Sequence, residues 1–143
     1  MPCGYTIDLA RSLVLSRAWG VLSDAELFAH ARALKLDTRF SPTSQQLVDF
    51  GGVTSLYVTV DGVRTMVGLN PWGRGSRRAA VAPSDLAFGL ARMYEALTQL
   101  EHGEFQVFRT MNEAMEWLGL TGVQSELLSA LAQVDAVVSE GVP

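Results

Sequence analysis

The sequence predicts an α/β sandwich: a mostly parallel five-stranded sheet with an antiparallel strand at its N-terminal edge, plus an extra C-terminal helix. Short apolar runs alternate with amphipathic helical segments, which is typical of parallel strands joined by helical crossovers. The first two runs, residues 5–10 and 12–20, are too close for a crossover, so we expect them to pair as an antiparallel hairpin. A chain of 143 residues is long enough for one domain with a substantial core.

Helix starts are marked by capping boxes, in which a Ser or Thr and a Glu or Gln three residues later satisfy free backbone amides. They fall at Ser23–Glu26, Thr110–Glu113 and Thr121–Gln124. Ser84 is a fourth cap, for a helix that runs to about residue 100. The remaining strands are predicted at residues 46–50, 78–82 and 105–109. The first helix buries Leu27, Ala31 and Leu34, and the last carries the apolar residues Val123, Leu127, Leu131, Val134 and Val138.

Residues 57–69 admit two interpretations. Asp61-Gly62 between apolar runs is a β-hairpin signal. Thr59 can instead cap a helix that ends near Leu69. The local pattern slightly favours the hairpin, whereas the topology favours the helix, because parallel strands before and after this segment need a crossover.

The composition excludes several classes of chemistry. The only cysteine is Cys3, and the two histidines, His30 and His102, stand in no metal-binding spacing. The sequence therefore predicts no cofactor, no metal and no catalytic residues. The N-terminus shows no signal-peptide pattern, and no apolar run is long enough to span a membrane, so we expect a cytoplasmic protein without membrane insertion.

Charge is distributed unevenly along the chain. Residues 1–92 hold ten bases and seven acids, a net charge of +3, whereas residues 93–143 hold one base and eight acids, a net charge of −7. The total of −4 argues against nucleic acid as a partner. The two halves are complementary, which favours a two-fold homodimer.

Four segments together resemble the STAS domains, and among them the SpoIIAA-like branch of uncharacterised bacterial proteins. The segments are 19–23 (WGVLS), 47–54 (LVDFGGVT), 77–94 (RRAAVAPSDLAFGLARMY) and 114–118 (AMEWL). The resemblance covers residues 5–119. It implies a SpoIIAA-like domain over residues 1–119, with residues 120–143 as a helical extension of the same domain.

The resemblance implies a regulatory or scaffolding domain, related more loosely to CRAL-TRIO lipid-binding domains. In antagonist proteins of the family a serine after an Asp, at a helix N-terminus, is phosphorylated and switches binding of a partner kinase. This chain lacks that Asp-Ser pair. The nearest hydroxyls are Thr59 and then Ser55, and the alternative for Thr59 is a plain helix cap.

Three further features are candidate sites. Asp49 lies where a predicted parallel strand ends, either as a site residue or as a loop cap. A glycine-rich basic segment contains Gly73 and Gly75 together with Arg74, Arg77 and Arg78. It is either a cradle that binds an anion or a basic loop exposed to solvent. Trp72, beside them, either fills the edge of the core or anchors a partner.

The helix after Ser84 indicates a contact surface. Its predicted apolar stripe comprises Leu86, Leu90, Met93, Leu97 and Leu100. Phe88 then falls on the opposite, polar face near Gly89 and Arg92, which suggests close approach of another surface. We also expect the earlier helices to cover both faces of the sheet, so that the last helix packs on a flank or exchanges with a second subunit.

Three functions follow in order of preference: a non-enzymatic regulatory domain that acts through protein contact, a module that binds an apolar or anionic, lipid-like small molecule, and an enzyme that uses Asp49 and the Arg loop. A filled core with a flat apolar patch around Phe88 favours the first, and an enclosed apolar pocket favours the second. A cleft that brings Asp49 close to Arg74 or Arg77 favours the third.

Overall fold

In a computed structural model that describes residues 3–98 and 102–135, the strands of the sheet lie side by side in chain order. The strands are β1 (Cys3–Asp8), β2 (Leu13–Ser23), β3 (Gln45–Tyr57), β4 (Arg77–Val81) and β5 (Glu104–Phe108). The helices are α1 (Asp24–Leu36), α2 (Val60–Leu69), α3 (Asp85–Leu97), α4 (Met111–Leu118) and α5 (Gln124–Ala132). None of the helices in the described ranges is long and apolar enough to cross a membrane.

The sheet has the predicted strand directions. Strand β1 runs antiparallel to β2, with Cys3 opposite Ala18 and Asp8 opposite Leu13. Strands β2, β3, β4 and β5 run parallel to one another. The α/β class and the antiparallel N-terminal edge strand are therefore confirmed.

Side-chain alternation divides the core between the two faces of the sheet. One face buries Leu13, Leu15 and Leu47 against α4 and α5. The intervening residues of the strands, such as Val48 and Ala80, point to the other face, which α1, α2 and α3 cover.

Residues 57–69 form the crossover helix, and the hairpin interpretation is wrong. The Thr59 hydroxyl accepts a hydrogen bond of 2.9 Å from the amide of Gly62, which caps α2. The strand before α2 is longer than predicted, since β3 continues to Tyr57. Beyond Asp49 it pairs with β2 alone.

The predicted helix starts are confirmed in three cases and wrong in one. Ser23 and Glu26 form the first capping box, and the side chains of Ser84 and Thr110 accept amide hydrogen bonds at α3 and α4. The Thr121–Gln124 box does not form. Thr121–Val123 is a 3₁₀ turn instead, and α5 begins after it without a side-chain cap.

Helix α5 occupies a sheet face that we expected from the sequence to be covered already. Because all three crossover helices lie on one face, the other has room for α5 beside α4, over β1 and β2. Leu127 and Leu131 are buried in the same cluster as Leu13. Helix α5 thus packs against the rest of the domain, while the boundary between residues 119 and 120 stays a prediction. Val138 and Leu100 lie outside the described residues.

Candidate functional site

An apolar cavity of about 130 Å³ lies between the sheet and helices α1, α2 and α3. Its walls draw on every strand from β1 to β5 and on all three helices. Most lining side chains are aliphatic or aromatic, and some, including Leu56 and Met66, keep part of their surface accessible. Because a dry cavity of roughly 150 Å³ accepts a benzene molecule, this space suits a small apolar ligand.

One end of the cavity is formed by Arg78, the second residue of β4. Its side chain is only 2% exposed. The Cζ atom lies 5.4, 5.6 and 5.2 Å from the ring centroids of Trp72, Tyr94 and Phe105. Nη1 donates a 2.9 Å hydrogen bond to the Tyr94 hydroxyl, and Nη2 lies 3.4 Å from the carbonyl oxygen of His102. The guanidinium thus lines a mostly apolar cavity from a position among three aromatic rings.

A second polar group at the cavity is His30 of α1. Its Nε2 atom lies 2.9 Å from Oγ of Ser16, which also accepts a 2.9 Å hydrogen bond from the side-chain amide of Gln46. Burial lowers the pKa of His30 to about 4, so its ring is neutral near pH 7. Ser16 is fully buried and does not line the cavity, so this Ser–His contact offers no accessible nucleophile.

Cys3 contributes a thiol to the cavity wall. Burial, with a smaller contribution from the charge of Glu26, raises the pKa of the Cys3 thiol to about 12. The thiol is therefore protonated near neutral pH and packs as a small apolar group. Within residues 3–98 and 102–135, no group of three or more His, Cys, Asp or Glu side chains could hold a metal ion.

The three arginines of the predicted anion cradle do not converge. Arg74 is exposed, while Arg77 pairs with Glu104 at 3.4 Å and lies over the ring of Trp117 at 4.0 Å. Arg78, one residue later in the pleated strand, points to the opposite face and enters the cavity. A cradle built from all three is therefore wrong, and of the three only Arg78 lines the cavity.

Helix α3 turns a different side to the sheet than its leucine spacing predicted. Ala87, Ala91 and Tyr94 line the cavity. Of the predicted apolar stripe, Leu90 also lines the cavity, whereas Leu86 is 59% exposed and Leu97 is 38% exposed, so the stripe is wrong at these two positions. Small side chains on the inner face leave space between α3 and the sheet, and the Tyr94 ring reaches across it.

Phe88 is not stranded on a polar face, contrary to the expectation from helical spacing. It packs against the cluster that contains Ala80, and Arg109 lies over its ring at 4.2 Å. Gly89 is exposed, and a Cβ at this position would meet no described atom within 4 Å. Arg92 is exposed nearby. Whether Phe88, Gly89 and Arg92 contact a partner stays a prediction.

Trp72 fills the edge of the core, the first of its two alternatives. It is 5% exposed and meets Phe40 edge-on, with ring centroids 4.9 Å apart. Its carbonyl oxygen lies 2.9 Å from Nδ1 of His102. The indole is covered by its own chain, so it presents no surface to a partner in this conformation.

Asp49 acts as a local cap. Its Oδ1 atom accepts a 2.8 Å hydrogen bond from the amide of Gly51. In the described part of the chain no arginine lies within ion-pair distance of Asp49, and Arg77 is engaged with Glu104. The geometry that would favour an enzyme built on Asp49 and the Arg loop is therefore not formed.

The two candidate phosphate acceptors occupy structural positions. Thr59 caps α2, and its hydroxyl donates a 2.6 Å hydrogen bond to Asp24. Ser55 lies in β3, paired with Val21 of β2. Neither observation tests phosphorylation, which stays a prediction for both residues.

Sequence reasoning missed Tyr94 and His102 as partners of Arg78, and Asn70 as a partner of Tyr94. The available signal was Arg78 itself, a charged residue at the start of the apolar run 79–82 in a strand predicted to be buried on both faces. A charge in such a strand indicates either a buried partner or a ligand.

Neither a protein-family model nor a curated protein matches this sequence. Among solved structures, the chain is similar to an uncharacterised protein of the DUF3478 family from Shewanella loihica PV-4, described as having a SpoIIAA-like fold. The TM-score is 0.54 at 18% identity, over 82% of this chain and 94% of the other. Together with the strand order and directions given above, this match shows that the chain has the SpoIIAA-like fold.

Proposed function

We propose that this chain is a non-enzymatic module that binds a small apolar molecule in the cavity between the sheet and helices α1, α2 and α3. The observation that carries the proposal is the cavity itself, about 130 Å³ of space with mostly apolar walls. Protein cores are normally packed to the density of organic crystals, so a space of this size costs stability unless something fills it.

The absence of catalysis is part of the proposal. The polar groups at the cavity include a protonated Cys3 thiol, a neutral His30 and the Arg78 guanidinium, together with the side chains of Tyr94, Gln46 and Asn70. The serine that touches His30 is shielded from the cavity. A binding function needs only the shape and polarity that these residues provide. We also propose that the protein is cytoplasmic, as expected from the sequence.

The test compares two substitutions in the same helix. Ala91→Leu places extra methyl groups in the cavity, whereas Ala96→Leu adds the same volume on the exposed side of α3. We expect benzene to raise the melting temperature of the wild type and of Ala96→Leu, because a ligand that binds only the folded state stabilises it. The melting temperature of Ala91→Leu should not rise when benzene is added, because the larger side chain occupies the cavity. Equal shifts in all three proteins, or no shift in the wild type, would contradict the proposal.

Protein contact is the second candidate function, and a different observation favours it. Beside the charged residues Asp85 and Arg92, the outer face of α3 exposes two large apolar side chains, Leu86 and Leu97. A partner protein or a second copy of the chain would cover them, as the homodimer and regulatory role expected from the sequence require.

A further inference from the structure

The unusual feature of Arg78 is that its charge has no described counter-ion. Among residues 3–98 and 102–135, no carboxylate oxygen lies within 4.0 Å of its guanidinium. The two acceptors it has, the Tyr94 hydroxyl and the His102 carbonyl, are neutral. Its Nε atom is buried and has no hydrogen-bond partner among the described residues. Buried charges in folded proteins are normally paired, so this one lacks an anion.

Tyr94 adds a second unsatisfied donor beside it. The Tyr94 oxygen accepts hydrogen bonds from Nη1 of Arg78 at 2.9 Å and from Nδ2 of Asn70 at 2.8 Å. With two donors already on the oxygen, the phenol proton must itself be donated elsewhere. Among the described residues no hydrogen bond from the Tyr94 hydroxyl to an acceptor is formed, and Oδ1 of the neighbouring Asn70 accepts from the amide of Trp72 instead.

Around Arg78 the described residues therefore leave one positive charge without a carboxylate partner and two donors, Nε–H of Arg78 and O–H of Tyr94, without a recorded acceptor. A carboxylate provides what is missing: a negative charge and two oxygens that only accept hydrogen bonds. A neutral ligand would leave the charge unpaired, and a cationic ligand would be repelled by it.

We infer that the ligand of this cavity is a small monocarboxylate with an apolar body, whose carboxylate pairs with Arg78 and the Tyr94 hydroxyl. This inference rests on the proposed function, because it assigns a headgroup to the ligand of the same cavity. The volume of about 130 Å³ accommodates a body of about the size of a benzene ring. Benzoate has this size and charge and is the probe for the test.

The experiment compares benzoate with benzamide, which has nearly the same shape but no charge, by calorimetric titration at pH 7. We expect the wild type to bind benzoate at least tenfold more tightly, because hydrogen bonds to charged groups typically change affinity by about ten- to a hundredfold. Arg78→Met should abolish this preference and retain benzamide binding. Tyr94→Phe should reduce benzoate affinity about three- to tenfold.

Arg74→Met is the matched control, since it removes an exposed arginine four residues away. It should leave benzoate affinity within twofold of the wild type, and a loss equal to that of Arg78→Met would point to general surface charge and overturn the inference. Arg78→Met should also unfold at a urea concentration no lower than the wild type, because it removes a buried charge without a counter-ion. If Arg78→Met does not fold, Tyr94→Phe carries the test, and an unchanged benzoate affinity there overturns the inference.

Glu101→Gln checks a carboxylate outside the described residues, next to His102 in the sequence. We expect no change in benzoate affinity, whereas a rise of tenfold or more would show that the chain supplies its own anion to Arg78 and would overturn the inference.

The two proposals are contradicted by different results. If benzene and benzamide bind and benzoate has no advantage, the carboxylate inference falls and the proposed function stands. If none of the three binds, the proposed function falls with it.

Discussion

The Thr59 hydroxyl donates a 2.6 Å hydrogen bond to Oδ2 of Asp24, and the Thr59 amide donates one of 3.0 Å to the other oxygen of that carboxylate. The two residues are 35 positions apart in the chain. Their contact joins the N-terminus of α2 to the first turn of α1, and both helices line the candidate ligand cavity.

Thr59→Glu should destabilise the fold, by about 1–2 kcal/mol, because it removes a helix cap and sets a negative charge against Asp24. Urea unfolding monitored by circular dichroism measures the effect. Thr59→Ser keeps the hydroxyl and should stay within about 0.5 kcal/mol of the wild type. A Thr59→Glu protein as stable as the wild type would show that negative charge is tolerated here, and a pull-down with that variant would then test the phosphorylation hypothesis.

Gly62→Ala and Gly68→Ala should have opposite effects although both lie in α2. A Cβ on Gly62 would collide with the carboxylate of Asp24, whereas one on Gly68 would meet no described atom within 4 Å. We expect Gly68→Ala to raise the free energy of unfolding by roughly 0.5–1 kcal/mol, the usual gain in a helix interior. Gly62→Ala should lower it. Equal effects in urea unfolding would contradict the contact between α1 and α2.

Stability should fall with decreasing pH between about 6.5 and about 4, the ordinary and the folded-state pKa of His30. In this range His30 binds a proton in the unfolded chain but stays neutral in the folded chain. The free energy of unfolding therefore falls by about 3 kcal/mol across it. Asp8 and Asp37 have pKa values lowered from 3.8, mainly by Arg11 and Arg39, so their contributions are lost at still lower pH.

His30→Gln provides the control for this pH dependence. It should flatten the urea-unfolding midpoint between pH 5 and pH 7, whereas His102→Gln should retain the slope of the wild type. An unchanged slope in His30→Gln would assign the proton uptake to another group.

The expected homodimer is tested by sedimentation equilibrium at micromolar concentration. The exposed face of α3 carries Leu86 together with Gly89 and Arg92, so Leu86→Asp should convert the dimer to a 15.5 kDa species. Leu36→Asp, which changes a leucine that is 77% exposed at the end of α1, should leave it dimeric. Phe88→Asp is a poorer probe because Phe88 packs inside the domain. A wild type that sediments at 15.5 kDa contradicts the homodimer.

Features that depend on neighbouring residues in the sequence were predicted well. The capping box at Ser23, the caps at Ser84 and Thr110, and the antiparallel first hairpin need only local hydrogen bonding and short connections. For residues 57–69 the local pattern and the topology favoured different structures, and the helix at residues 60–69 is the one that topology favoured, because two parallel strands cannot be joined by a hairpin.

The side of α3 that faces the sheet was not predictable from periodicity. Helical periodicity assigns the largest aliphatic side chains to the core, but α3 turns Ala87 and Ala91 inward and leaves Leu86 exposed. Leu90 and Tyr94 also line the cavity, and the small side chains of the two alanines leave space between the helix and the sheet. The residues that line the cavity come from segments far apart in the sequence, so no local sequence pattern predicts the cavity. Only Arg78, a charge among apolar strand residues, gave a sign of it.

The order of the strands in the sheet has a consequence for how the chain acquires its binding site during synthesis. Because each new strand is added beside its predecessor, β1, β2 and β3 can pair before the rest of the chain has been made. The cavity, in contrast, needs residues from Cys3 through Phe105, and Tyr94 and Phe105 join Arg78 last. In a nascent chain the first strands of the sheet would therefore pair well before the cavity is complete. A ligand would bind only the fully synthesised and folded domain.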